Sequence, residues 1–449
     1  MAMCNCRKRL RGMNHGQSSI FDNPYLMMSL TEDYLIDERL DLGSVCKSFR
    51  RYNFSHFKAT VHNIDVARAA TAKERLIIFE APLGSSCRHL ENTTMNLSRV
   101  RMISDGAFYE WYKLTTIVIP NTVTFIGKGA FTRCSGLRKI DLPASLTFLG
   151  EYAFANCFSL TEVHFANGLC TIEEGTFNMC VSLKRVCLPE SLRVIRHGAF
   201  EKCRSLQDIH IPSCVTFIDT YAFIDCDALA TIMMPTRAVS IEECAFYNCI
   251  SLTNVDFSHG VTSIAEGAFS GCVSLVQIKL PKEMTVIEAY VFNECRSLTS
   301  IDISQKIKTI KDGAFWDCSK LHTVHFHCNA ELKVIEDHAF RKCVALANIE
   351  LPKSLCNIGS NAFRQCKGLS RFTIPKMVSS IGNRAFQQCV NLSLFNIHIE
   401  NITLGEEIFK QCDHLKWVYI PHLTRSAQEI VTAHFPPDAK IQVDADIMF

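Results

Sequence analysis

Residues 183–203 read LKRVCLPESLRVIRHGAFEKC, and the pattern returns along most of the chain. Phe200 in this stretch has counterparts in steps of 23 residues at Phe108, Phe131, Phe154, Phe177, Phe223, Phe246, Phe269, Phe292 and Phe315. One step of 25 leads to Phe340, and steps of 23 resume through Phe363, Phe386 and Phe409, which makes fourteen units. Three residues after each Phe stands Cys, from Cys134 to Cys412, with Trp111 in that slot of the first unit. Leu follows each Phe by six residues, and Ile or Leu precedes it by five, in all fourteen units. Neither the 3.6-residue helix period nor the 2-residue strand period returns at 23, so the recurrence marks a stacked repeat rather than one central core.

Inside a unit, the residues nine and eleven after the Phe are apolar and alternate with polar ones, as in Ile140-Asp141-Leu142 and Ile209-His210-Ile211. That alternation predicts a half-buried strand. Pro follows it in nine of the fourteen units, for example Pro143, Pro189 and Pro212, and removes a backbone donor where the ladder stops. A second apolar step such as Leu146-Thr147-Phe148-Leu149-Gly150 then precedes a tight turn into the next Phe, usually through Ala. A coil of this size cannot bury its own apolar face, so neighbours must stack about 4.8 Å apart, Phe over Phe and Leu over Leu. The thirteen periodic cysteines are expected to be buried thiols, each donating to a backbone carbonyl of the adjacent turn.

The unit L-x-x-I-x-L-P-x-S-L-x-x-I-x-x-x-A-F-x-x-C resembles the BspA-type leucine-rich repeat over about Arg101 to Pro421. Trp111 departs from its Cys, and Thr176, Val291 and Ile408 depart from its Ala. The resemblance implies a right-handed leucine-rich-repeat solenoid of about fourteen coils that binds proteins and shares no catalytic activity, often at microbial surfaces. The organisation expected is a non-repeat, partly helical N-terminal region over residues 1–98, the solenoid over 99–421 and a C-terminal cap over 422–449. Leu76 to Phe79 with Pro82 reads as one further degenerate coil, Ser426 to Phe435 as a short helix, and Lys440 to Val443 as a last strand.

The remaining sequence mostly excludes. With 47 basic against 45 acidic residues, a formal charge of +2 gives no global field for nucleic acid or anionic membrane. No run of about 18 apolar residues suggests a membrane span, and the N-terminus lacks the pattern of a secretory signal, so a cytoplasmic monomer is expected. The sequons at Asn53, Asn92, Asn96, Asn391 and Asn401 matter only for an exported chain. Gly-rich phosphate loops, H-E-x-x-H and G-x-S-x-G are missing from the sequence, so no enzyme and no cofactor are expected. Leu30 to Arg50, ending V-C-K-S-F-R, resembles an F-box, which would imply a substrate adaptor of a ubiquitin ligase; the stretch is shorter than a full F-box, and a helical cap is the plainer reading.

The residues eight and ten after each Phe face away from the core, and a protein partner is expected along them. They include Asp141, Glu162, His164, Arg185, Asp208, His210, Asp256, Lys279, Asp302, His325, Glu350, Arg371, Trp417 and Tyr419. Both signs of charge suit a protein better than a polyanion. Trp417 and Tyr419 are either an interface anchor or residues covered by the C-terminal cap. His164, Cys187, His210 and Met233 share a column, as His322, His325, His327 and Cys328 share a loop, but their expected spacing is too wide for one ion and no metal site is assigned. Arg7-Lys8-Arg9-Leu10-Arg11 reads as a solvated terminus or a basic targeting patch.

Overall fold

The computed structural model describes residues 78–79, 100–234, 239–257, 260–398, 402–420 and 434–443. The expected helical N-terminal region, with Leu30–Arg50 and the basic run, lies outside the described residues, as does most of the expected helix from Ser426. The chain divides into two compact units, Met1–Leu183 and Lys184–Phe449. In both, it winds as a parallel-strand β-solenoid, about fourteen turns counted on the repeat Phe.

Each turn carries a long strand and a short one. In the first unit Lys139–Leu142 pairs in parallel with Glu162–Phe165, each residue opposite its repeat equivalent. The two-residue strands Met102–Ile103, Phe125–Ile126 and Phe148–Leu149 form a second parallel ladder, and Ile78–Phe79 adds a rung against Met102–Ile103, where the degenerate coil was expected. In the second unit the long strands Asp208–His210, Thr231–Met233, Asn254–Asp256 and Gln277–Lys279 make one sheet. Ser300–Ile303 pairs with Thr323–Phe326, and Arg371–Thr373, Leu394–Asn396 and Trp417–Ile420 make a further sheet closed by Lys440–Val443. Its short strands run without a break from Val286–Ile287 to Thr403–Leu404.

The 25-residue unit shows where length can vary. Seven residues separate the strands ending at Phe326 and starting at Val334, against five between Ile303 and Thr309 one coil earlier. The corner folds on itself, with the Ala330 N–H donating to the His327 carbonyl at 2.9 Å. Thr309 still pairs with Val334, and Ile310 with Ile335. On the next coil the long-strand segment Ile349–Leu351 forms no strand.

The core is the set of columns that the period lines up. The repeat Phe rings are buried and stack face to face, 4.8 Å apart for Phe108 and Phe131 and 5.1 Å for Phe223 and Phe246. Such pairs contribute about 0.5–1.5 kcal/mol beyond the burial of the rings themselves. At the end of the second unit Phe435 closes the column on Phe409, with ring centroids 5.0 Å apart. The thiols take the expected role: Cys134 Sγ donates to the Phe108 carbonyl at 3.0 Å and Cys249 Sγ to the Phe223 carbonyl at 3.3 Å, each in the coil before.

The turn around each Phe uses a backbone feature that the sequence does not announce. In all fourteen coils the residue two before the Phe and the residue two after it have positive φ, between 54° and 78°. This left-handed pair bends the chain so that the Phe N–H donates to the residue before the next Phe, as Phe131 does to the Ala153 carbonyl at 2.7 Å. Few of these positions are Gly: Met179, Lys202, Tyr221 and Arg384 occupy them too, each at a strain of about 1–2 kcal/mol that the stacked neighbours must hold.

Candidate functional site

Strand pleating decides which side chains face outward. Lys139–Leu142 alternates exposed and buried, and the same exposed-buried-exposed order holds in Arg185–Cys187, Asp208–His210, Gln277–Lys279 and Arg371–Thr373. The residues eight and ten after the Phe are therefore the outer ones. Asp141, Arg185, Asp208, His210, Lys279, Asp302, His325, Glu350, Arg371 and Trp417 are exposed, while Glu162, His164 and Tyr419 are half-buried. Glu350 keeps the offset but sits in the segment that forms no strand. Asp256 stands opposite Lys279 in the ladder, and its side chain lies outside the described residues.

The first unit brings three of these residues into contact. His164 Nδ1 lies 2.9 Å from Asp141 Oδ1 and its Nε2 lies 3.1 Å from Glu162 Oε1, while Lys139 Nζ approaches Asp141 at 3.5 Å and Glu162 at 3.8 Å. The imidazole is thus held between two carboxylates from adjacent strands. In the second unit Asp302 stands opposite His325, and Arg371 is two rungs from Trp417 through Leu394. Trp417 stays 43% exposed, and Lys440 of the closing strand holds its ammonium 5.3 Å from the indole centroid. That strand lies beside Trp417 in the ladder.

The thiol column is chemically closed. Burial pushes the Cys272 and Cys412 thiols up to about 12 and lifts those of Cys226, Cys249, Cys295 and Cys389 well above the ordinary range, so they stay protonated and unreactive. Cys170, Cys187 and Cys328 are the exposed thiols among the described residues. Among the described residues no group of three His, Cys, Asp or Glu side chains could hold a metal ion, and no helix is long and apolar enough to cross a membrane.

A second feature escaped the reading of the sequence. Across the short strands of the second unit runs an open groove of about 730 Å³, whose floor includes Gly359, Gly382 and Gly405, 23 residues apart and four before their Phe. A Cβ at Gly359 would lie 2.5 Å from the Asp337 backbone nitrogen, and one at Gly405 2.5 Å from that of Asn383. The neighbouring coil passes so close because Asp337 Oδ1 accepts from the Ser360 N–H at 2.6 Å and Asn383 Oδ1 from the Glu406 N–H at 2.8 Å. Three Gly at one offset were the signal that could have found it.

Comparison with known proteins agrees with this geometry. The model of the BspA type leucine rich repeat region matches residues 101–230, 218–332 and 326–433. No curated protein matches the chain in sequence. Among solved structures, a leucine-rich repeat protein from Bacteroides ovatus is 23% identical with a TM-score of 0.61, covering 79% of this chain and 97% of that one. A leucine-rich repeat protein from Eubacterium ventriosum is 22% identical with a TM-score of 0.41, covering 60% and 83%. A leucine rich cell surface protein from Faecalibacterium prausnitzii is 29% identical with a TM-score of 0.31, covering 60% and 82%. Repeat, ladder and family model converge: the chain belongs to the BspA-type leucine-rich repeat family.

Proposed function

We propose that this chain is a non-catalytic recognition scaffold that binds a protein partner along its long-strand face. One observation carries the reading. The buried columns repeat one residue type from coil to coil, whereas the outer positions change, through Lys139, Asp208, Lys279, Asp302 and Arg371, and stay exposed. A surface that varies on an invariant frame is how solenoids present specific binding faces.

The test uses the full chain as bait in a lysate of its own cell and compares it with the triple variant Asp208→Lys, Asp302→Lys, Glu350→Lys. These side chains are exposed, so the far-UV circular dichroism should not change. A partner that the wild type retains and the triple variant loses is the expected result. Undiminished capture of every partner by the triple variant would remove the long-strand face from consideration.

A further inference from the structure

The residue that follows each repeat Phe forms a column of its own, on a different arc from the long strands. On two successive coils of the second unit it is polar and tucked in: Asn293 Nδ2 donates to Ser270 Oγ at 3.0 Å, and both side chains are buried. On the next four coils the same column holds Trp316, Arg341, Arg364 and Gln387. The Arg341 guanidinium carbon lies 4.7 Å from the Trp316 ring centroid, and Arg364 follows on the next coil, where the two Phe rings beside them are 5.4 Å apart.

These two arginines differ from the rest. Every other described arginine is exposed, whereas Arg341 and Arg364 are half-buried. Arg133, Arg204, Arg296 and Arg384 each hold a carboxylate, at 2.7, 3.6, 3.0 and 2.6 Å. Among the described residues no carboxylate pairs with Arg341 or Arg364. The Nε atoms of both are buried without a hydrogen-bond partner, and the one side-chain bond Arg364 shows is a long one, 3.4 Å from Nη1 to Asn361 Oδ1. Burial, and after it the charge of Arg364, holds the Arg341 pKa below the ordinary arginine value. Two like charges set side by side, partly out of water and with donors unused, are what a bound anion would neutralise.

We propose that Arg341 and Arg364 form an oxyanion clamp backed by Trp316, which takes a carboxylate or phosphate group, free or on a peptide. Planar forks one coil apart can each donate two N–H groups to such an anion, and the indole face keeps Arg341 in place. Gln365 and Gln387 alongside have buried side-chain oxygens without partners, and rotating either amide turns its NH₂ group into a further donor. The clamp does not depend on the long-strand face being the partner-binding surface, so either can fail alone.

The full chain is melted in chloride and in inorganic phosphate at matched ionic strength, as wild type, Arg364→Gln, Arg364→Lys and the paired-arginine control Arg384→Gln. Phosphate should raise the Tm of the wild type and of R384Q, raise that of R364K less because the fork is lost, and leave R364Q unmoved. In chloride R364Q should melt no lower than the wild type, because removing one of two like charges relieves repulsion. Tryptophan fluorescence titrations with two peptides that differ only in carrying glutamate or phosphoserine, set beside inorganic phosphate, then name the source of the anion. The tightest of the three should bind R364Q at least about tenfold more weakly. The proposal is overturned by an equal phosphate shift in wild type and R364Q, by no shift in either, or by R364Q melting several degrees below wild type in chloride, which would make the guanidinium a structural brace.

Discussion

Around each repeat Phe the fourteen coils scarcely differ: two left-handed residues flank the ring, and within each unit a thiol three residues later donates to the preceding coil, as Cys157 does to Phe131 and Cys366 to Phe340. A few residues further on, the long strands carry Lys, Glu, Arg, Asp, His and Trp in turn, and in the second unit their sheet is broken before Ser300–Ile303 and again where the longer coil intervenes. Both arcs belong to the same turn and see the same neighbours. The difference lies in what each substitution must satisfy. The Phe arc meets backbone on both sides and has no free volume; the long-strand arc has its backbone bonds made by the ladder and its side chains in water. Stability therefore concentrates in one arc and chemical variety in the other.

The largest effect expected from this division is alkaline unfolding. In the folded chain burial lifts the thiols, to about 12 for Cys272 and Cys412, whereas an unfolded thiol ionises near the ordinary value of about 8.5. Below that lower value both states are protonated and the full stability is present. As pH rises above it the unfolded chain loses protons that the folded chain keeps, so stability falls by about 1.4 kcal/mol per pH unit for each such thiol until the folded pKa is reached. Melting curves followed by circular dichroism from about pH 8 to about pH 10 should show a steep drop in Tm. Replacing exposed Cys170, Cys187 and Cys328 by Ser should leave that drop unchanged. A Tm flat over this range would mean that the column is open to solvent and that the two arcs are not distinct in this respect.

Next in size is Phe246→Ala, inside the second unit. Its ring is fully buried between Phe223 at 5.1 Å and Phe269 at 5.2 Å. The variant should lose about 3–5 kcal/mol in urea denaturation, with both flanking coils more open to amide exchange. Loss confined to under about 1 kcal/mol would show that neighbouring coils collapse into the space, and that the column tolerates variety after all.

The finest comparison sets Met179→Val against Asp208→Lys. Met179 has φ 59° on the Phe arc, where a β-branched residue fits badly, and about 1–2 kcal/mol should be lost. Asp208 is exposed on the long-strand arc and should change stability by no more than about 0.5 kcal/mol. Equal losses would blur the distinction; a reversed order would abolish it.

The columns were legible because they are periodic. Phe, Leu and Cys at fixed offsets announced the coil, the alternation at Ile140-Asp141-Leu142 announced which side faces outward, and one odd step announced the longer corner. The left-handed positions were not legible, since Met179, Tyr221 and Arg384 are ordinary residues that local propensity would never place there; the stacked neighbours impose the conformation. Nor could the sequence separate Arg341 from Arg371. Both read as basic surface residues, and only the fold shows that one lies half-buried over an indole while the other stands in solvent. The contact of His164 with Asp141 and Glu162 was implied by the column, but its bracketing geometry depended on rotamers.

The corner between Phe326 and Val334 carries a lesson about growth. Two additional residues entered there, yet the next short strand still met its partner and the Cys343 thiol still found the Phe315 carbonyl, at 3.2 Å. Length at that corner costs the next coil its long strand but leaves the short-strand ladder and the thiol column in register, like slack in a belt that leaves the teeth engaged. A chain built this way can lengthen a rim loop by small steps, or host a grafted epitope, while the count that keeps the later turns in step runs on undisturbed.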